Sequence, residues 1–407
     1  MSVSRPITSA EQRLDVLLSE SPTSACIRQR RAFDEVAEGR RQLVIFGSGR
    51  LGRRVREGLA GTDLEPVAFA DNNPEVWGKV IDGLPVLSPE DAADKYSRNT
   101  TFIVAIWHPS RSPLMSALID QLRALDCRTL PFPQLFWRHA SVFLPYFFWD
   151  LPEHLLLKRR EISAAFELFD DDDSRQAFVA QMQLRLKGDF ECIGEPFKGE
   201  QYFPGLFSLS AEECFVDCGS YTGDTIQDFI SQTGNCFGKV IAFEADAAVM
   251  PALESVVHDL GARVSLHQAA VGARNGTVHF TGDGIGGGCV TGASGTTVRC
   301  VRLDDAVAGE RVSFIKMDIE GAELDALEGA HNIITRDRPV LAICSYHRPY
   351  HLWRVPAYLK TLIPDSACFL RCHCADGLDT VCYTVPPERQ SLGSSFMART
   401  QVQGSHS

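Results

Sequence analysis

Phe215-Val216-Asp217-Cys218-Gly219-Ser220-Tyr221-Thr222-Gly223-Asp224-Thr225 is the stretch on which the fold turns. An apolar run closes on an acid, a two-glycine turn follows, and Thr225-Ile226-Gln227-Asp228-Phe229-Ile230 takes up helical spacing, so the stretch predicts strand, tight turn and helix. Glycines at such a turn permit positive φ and close backbone approach, and the helix N-terminus behind them offers free N–H groups. The spacing here is Asp-x-Gly-x-x-x-Gly, whereas a dinucleotide fold shows Gly-x-Gly-x-x-Gly.

Outward from this turn, the run Lys239-Val240-Ile241-Ala242-Phe243 ends in Glu244, 21 residues after Gly223, where α/β nucleotide folds place a carboxylate for the ribose hydroxyls. An adenosine ligand is expected. Arg263 to His267 supplies a third strand, and Val312 to Met317 a fourth that runs into Asp318-Ile319-Glu320-Gly321-Ala322-Glu323. Asp217, Glu244 and Asp318 then lie at the carboxyl ends of three strands, the edge where open parallel sheets bind ligands. Acids at that edge suit the sulfonium and ammonium of S-adenosylmethionine and repel a diphosphate.

The region resembles the FkbM-type family of S-adenosylmethionine-dependent methyltransferases. The likeness is carried by Glu200-Gln201-Tyr202-Phe203, Phe215 to Gly219, Val240 to Glu244, Leu303-Asp304-Asp305, Ile315 to Glu323, Arg338-Pro339 and Tyr346-His347-Arg348-Pro349, in order from about Glu200 to about Pro386. Ala245 stands where the family usually has proline. The resemblance implies a class I methyltransferase domain with a seven-stranded sheet, one strand of it antiparallel, and methyl transfer to a hydroxyl of a sugar, glycolipid or secondary metabolite. It implies cofactor contacts from Gln201, Tyr202, Asp217, Gly219, Ser220, Tyr221, Gly223, Thr225, Glu244, Ala245 and Asp318, with Gln268, Ala269 and Ala270 bordering the adenine. His347, just past a fifth strand, is the candidate base for the acceptor hydroxyl, because its ordinary pKa suits proton removal at neutral pH, with Asp318 as the catalytic residue that positions the cofactor's ammonium and the acceptor; Asp318 or Glu320 is the alternative base.

The first part of the chain holds a second glycine turn. Arg41 to Phe46 reads as a buried strand running into Gly47-Ser48-Gly49-Arg50-Leu51-Gly52, a Gly-x-Gly-x-x-Gly in its strand-to-helix setting, and Asp71 ends the next strand 19 residues beyond Gly52. With Thr101 to Ile106 as a further strand, residues 41–130 predict a small Rossmann-like domain. It resembles the nucleotide-binding-like amino-terminal domains of some sugar-modifying enzymes. A nucleotide or sugar nucleotide held by Gly47, Gly49, Gly52 and Asp71 is one reading, and an empty structural turn is the other. A second match at Gly282 to Gly287 does not open a helix, and it reads instead as a mobile loop, or equally as a long hairpin connection, between strand-like Thr277 to Thr281 and Thr297 to Val301.

At 407 residues, with 44% hydrophobic and 23% charged residues, the chain is too long for one ordinary domain and has a globular composition. A formal charge of −12 excludes the basic face that nucleic-acid binding needs. No apolar run spans a membrane, and acids and arginines interrupt any leader at the start, so a cytoplasmic protein is expected. The 13 cysteines lack a disulfide framework, and the group Cys368, Cys372, Cys374 and Cys382 reads as small apolar side chains of a β-hairpin around Asp376-Gly377, with no metal site.

Residues 1–40 predict a helical segment with Leu14, Leu17 and Leu18 on one side. Residues 131–200 predict an aromatic and helical connector, a candidate surface for domain packing or homo-oligomers; in it Leu155 to Phe169 reads as a helix and Asp173 as the cap of the next, Arg175 to Leu186. A methyltransferase domain over 201–390 and a flexible tail over 391–407 complete the α/β architecture. The partner expected is a small-molecule or glycan acceptor. Two other functions are a nucleotide-binding protein with a silent methyltransferase domain and an oxidoreductase working from Gly47, Gly49 and Gly52. Intact acids at three strand ends argue against the first, and the absence of redox residues against the second.

Overall fold

Apolar residues on both faces of successive short runs dictate sheets covered on both sides, and the computed structural model contains two of them. It describes residues 9–39, 42–62, 64–96, 99–108, 114–282, 289–291 and 295–391. The chain forms two compact units. The first comprises Met1–Phe197 with Ser345–Arg354 and Leu370–Thr380, and the second comprises Lys198–Cys344, Val355–Phe369 and Val381–Ser407.

In the first unit, strands β1 (Gln42–Phe46), β2 (Pro66–Ala70), β3 (Val80–Ile81), β4 (Leu84–Leu87), β5 (Thr100–Val104) and β6 (Arg128–Pro131) form a sheet of order β3-β4-β2-β1-β5-β6. All neighbours are parallel except β3 and β4. The chain runs from β1 outward through β2 to β4 on one side and then crosses over to β5 and β6 on the other, so the glycine turn after β1 lies at the topological switch point. The helix Arg50–Gly58 buries Leu51 and Val55 against this sheet.

Leu14, Leu17 and Leu18 are buried on the helix Ala10–Ser19, which opens with a capping box at Ser9 and Gln12. The aromatic run expected to form a connector or an oligomer contact is interior to this unit: Phe132, Phe136, Phe143, Phe148 and Trp149 are fully buried, and Phe136 stacks on Phe143 at 4.5 Å. The helix expected over Leu155 to Phe169 is two, Pro152–Leu156 and Arg159–Phe166. The cap of the following helix, Asp172–Lys187, is Asp171 and not Asp173, since Asp171 accepts from the Ser174 N–H and also pairs with Arg371 at 2.6 Å.

In the second unit, β7 (Cys214–Cys218), β8 (Lys239–Glu244) and β9 (Val264–Gln268) precede a small sheet of β10 (Ala270–Val271), β11 (Gly276–Thr281), β12 (Cys289–Thr291) and β13 (Thr296–Val301). Then come β14 (Phe314–Met317), β15 (Val340–Cys344), β16 (Ala367–Cys372) and β17 (Thr380–Val385). The main sheet has the order β16-β17-β15-β14-β7-β8-β9. Pairs from β9 to β15 are parallel, and β17 runs antiparallel to β15, as the sequence predicts.

Phe215 of β7 stacks on Phe314 of β14 at 4.8 Å and meets Phe229 of the helix Asp224–Gln232 at the same centroid distance. Strand and helix are therefore clamped on either side of the turn between them, each aromatic pair contributing about 1 kcal/mol beyond burial. The cysteines of the predicted hairpin, Cys368, Cys372, Cys374 and Cys382, are buried. Residues 283–288, within the loop expected to be mobile, and the tail from 392 onward lie outside the described residues, and Cys289–Thr291 is strand β12. No described helix is long and apolar enough to cross a membrane.

Candidate cofactor site

The turn between β7 and the helix Asp224–Gln232 needs its glycines. Gly219 has φ 79°, and a Cβ there would lie 1.9 Å from the Asp318 carbonyl oxygen; Gly223 has φ 88° and caps the helix. Backbone bonds fix the loop: Gly219 and Ser220 both donate to the Phe243 carbonyl, at 2.9 and 3.2 Å, and Gly223 donates to Ser220. The Ser220 hydroxyl is turned inward, donating to the Asp217 carbonyl at 3.0 Å. Thr225 is buried in the first helical turn.

Asp217 does not reach the open side of this turn. It is fully buried, and its carboxylate meets the Lys316 ammonium at 3.0 Å. The two residues stand directly opposite in the β7–β14 register. Lys316 also donates to the Gly219 carbonyl at 2.6 Å. Burial alone would lower the Lys316 pKa, but the carboxylates of Asp217 and Asp318 outweigh it and hold it above the ordinary lysine range. Burial pushes the Asp217 carboxyl up, against the pull of Lys316.

Glu244 is the acid that the turn presents. At the end of β8, one of its oxygens accepts from the Tyr221 N–H at 2.8 Å and the other from the Asp246 N–H at 2.7 Å. A carboxylate has about four acceptor positions, so each oxygen keeps one for a further donor. Such a group fits a ribose diol. The Glu244 carbonyl accepts from Ala269, which fixes Gln268, Ala269 and Ala270 along the same edge, and Ala245 is the half-buried residue beside Glu244.

Tyr202 and Asp318 form the other flank. The Tyr202 hydroxyl donates to Asp318 Oδ2 at 2.8 Å and receives the Gln201 amide at 3.2 Å, while the Tyr202 ring lies 5.2 Å from Lys316 Nζ. Gln201 is itself held by Tyr383, whose hydroxyl donates to its carbonyl. The loop after Asp318 is supported by Glu323, which accepts from the Ile319 N–H at 3.0 Å. The candidates Gln201, Tyr202, Asp318, Gly219, Tyr221 and Glu244 are thus linked within one unit.

Lys316 is the residue that the sequence reading missed. A lone charge inside the apolar run Phe314-Ile315-Lys316-Met317 was the available signal, because a buried charge is informative where an exposed one is not.

In the first unit, Gly47 has φ 112° and Gly52 sits so close that a Cβ would lie 1.8 Å from the Gly47 carbonyl oxygen. Both are demanded by the backbone. Gly49 is not: its φ is −77°, and a Cβ there would meet nothing within 4 Å. Asp71 accepts from the Ser48 N–H at 2.7 Å, from the Ser48 hydroxyl at 2.6 Å and from the Asn73 N–H at 2.9 Å. His347 also belongs to the first unit, where it is buried against Tyr346 and 6.4 Å from the Phe147 ring.

This seven-stranded order, with β17 antiparallel, defines a class I methyltransferase fold. Residues 217–365 match the model of the methyltransferase FkbM domain, which places a methyltransferase domain of the FkbM type on that stretch of the chain. The chain is similar to the crystal structure of methyltransferase FkbM from Methylobacillus flagellatus KT, with 24% identity, a TM-score of 0.74, and 92% of this chain and 98% of that chain covered. That likeness is one of fold. Another similar structure is fibrillarin from Aeropyrum pernix in complex with S-adenosyl-L-methionine, at 15% identity, a TM-score of 0.28, and 44% of this chain and 70% of that chain covered. No curated protein matches.

Proposed function

We propose that the chain transfers a methyl group from S-adenosylmethionine to a hydroxyl of a sugar, glycolipid or other metabolite. The carrying observation is Glu244, aimed by two backbone N–H groups beside a turn whose Gly219 leaves no room for a side chain. S-adenosylmethionine supplies an activated methyl group bound to a cationic sulfur. Glu244 takes the ribose hydroxyls, Asp318 and the Tyr202 hydroxyl face the ammonium end, and the Gln268 to Ala270 edge borders the adenine. His347 takes the acceptor proton, a role that rests on residue chemistry alone. Calorimetric titration with S-adenosylmethionine, S-adenosylhomocysteine, NAD and a sugar nucleotide tests this reading. Binding of the first two to the second unit's turn supports it, and failure of both removes it. His347→Ala should keep cofactor affinity and lower the single-turnover rate about 10²- to 10⁴-fold, and an unchanged rate would dispense with that base.

A nucleotide or sugar nucleotide at the amino-terminal turn is a second reading, favoured by Gly49. The fold does not require a glycine there, and its open side is what close approach of a ligand needs. Asp71→Ala should weaken such a ligand while methyl transfer continues.

A further inference from the structure

Lys316 is 2% exposed, and taking a lysine and an aspartate out of water together is a poor way to stabilise a fold, because desolvation offsets most of their attraction. What the pair does gain is geometry. The Lys316 ammonium donates to the Gly219 carbonyl at 2.6 Å and so fixes which way the Gly219–Ser220 peptide points. That peptide leads into Tyr221, whose N–H holds Glu244. On its other side the ammonium lies 5.2 Å from the ring of Tyr202, whose hydroxyl reaches Asp318. One buried donor therefore underlies both flanks of the candidate site.

We infer that Lys316 is a positioning residue for the cofactor, holding the Gly219 carbonyl from beneath, and that Asp217 serves as its counter-charge without touching the ligand. The inference rests on the S-adenosylmethionine reading given above. It also changes the expected role of Asp217, whose charge is spent inside the protein, leaving Asp318 and Glu244 as the acids that face a cationic ligand.

Two double variants test it, neither leaving a buried charge unpaired. Lys316→Gln with Asp217→Asn keeps a donor for the Gly219 carbonyl, whereas Lys316→Met with Asp217→Leu removes it. Thermal unfolding is measured first, then S-adenosylhomocysteine affinity by calorimetry, then amide exchange at Ser220 and Tyr221 in the protein without ligand. The Gln/Asn protein should bind within about threefold of the parent. The Met/Leu protein should unfold no earlier than the parent, because apolar side chains often replace a buried ion pair without loss of stability. It should nevertheless bind at least tenfold more weakly and exchange faster at the turn, whereas loss of a merely structural pair would leave affinity alone. Parental affinity in a folded Met/Leu protein overturns the inference, as does a tenfold loss in the Gln/Asn protein, which decides the matter even where the Met/Leu chain does not fold. A parent chain that binds no S-adenosylhomocysteine overturns the proposed function instead.

Discussion

The two glycine turns aim their acids alike and differ in what lies beneath them. Asp71 accepts from Ser48, inside the first turn, and from Asn73, two residues beyond itself; Glu244 accepts from Tyr221, inside the second turn, and from Asp246, again two residues on. Under the first turn lies glycine packed on backbone, Gly52 against the Gly47 carbonyl, with Gly49 open above it. Under the second lies the Lys316–Asp217 pair. The strand-turn-helix frame thus fixes an acid by two backbone N–H groups in either unit. What else the turn can take depends on its glycines and on the groups beneath them. An open middle glycine suits close approach of a phosphate, and a site flanked by Glu244 and Asp318 suits a cation.

Glycine substitutions should separate the two turns most strongly. Gly219→Ala places a methyl group 1.9 Å from a backbone oxygen at positive φ, so it should cost about 2–4 kcal/mol of stability and abolish S-adenosylhomocysteine binding. Gly52→Ala should destabilise the first unit by a similar amount. Chemical denaturation and calorimetry measure both, and a silent Gly219→Ala would show that the turn is looser than described.

Asp376, in the first unit, gives a pH test that the turns should not share. Burial pushes its carboxyl up to about 6, opposed by the bond it accepts from Met115. A folded pKa above the unfolded value of about 3.9 means that the folded state binds more protons, so stability present at low pH is lost as pH rises from about 4 to about 6. Asp376→Asn should therefore gain on the parent across that window, by about 1–3 kcal/mol above pH 6. A constant difference from pH 4 to 7 would contradict this.

Asp71→Ala removes the acceptor of two backbone N–H groups and should cost about 1–2 kcal/mol, with S-adenosylhomocysteine affinity unchanged. Any loss of that affinity would break the separation of the two turns. Gly49→Ala should have the smallest effect on folding, within about 0.5 kcal/mol of the parent, since its Cβ meets nothing.

The second sheet's strands and β1, β2 and β5 of the first were legible in the sequence, mostly as apolar runs, whereas β3, β4 and β6 were not, being short or partly polar; the strands that matter end in an acid: β2 before Asp71, β8 at Glu244, β14 before Asp318. The final hairpin was legible from Asp376-Gly377. The aromatic run after Pro131 was not, because local sequence shows only that Phe132, Phe136 and Trp149 will be buried, not against what; long-range packing places them in the first unit. Nor could four consecutive aspartates reveal the cap. All share the capping chemistry, and only the bond to Ser174 and the pairing with Arg371 select Asp171. Within the candidate site, Glu244 was found from spacing, whereas the inward turn of Asp217 follows from its register opposite Lys316, which spacing along one strand does not express.

Whether S-adenosylmethionine is held at the second turn with Glu244 on its ribose is tested most directly by titrating S-adenosylhomocysteine into the parent chain and the Glu244→Ala variant. Binding to the parent is expected, with a loss of about 2–4 kcal/mol in the variant, the range for removing a charged partner that makes more than one hydrogen bond. Equal affinity for the two proteins would contradict it.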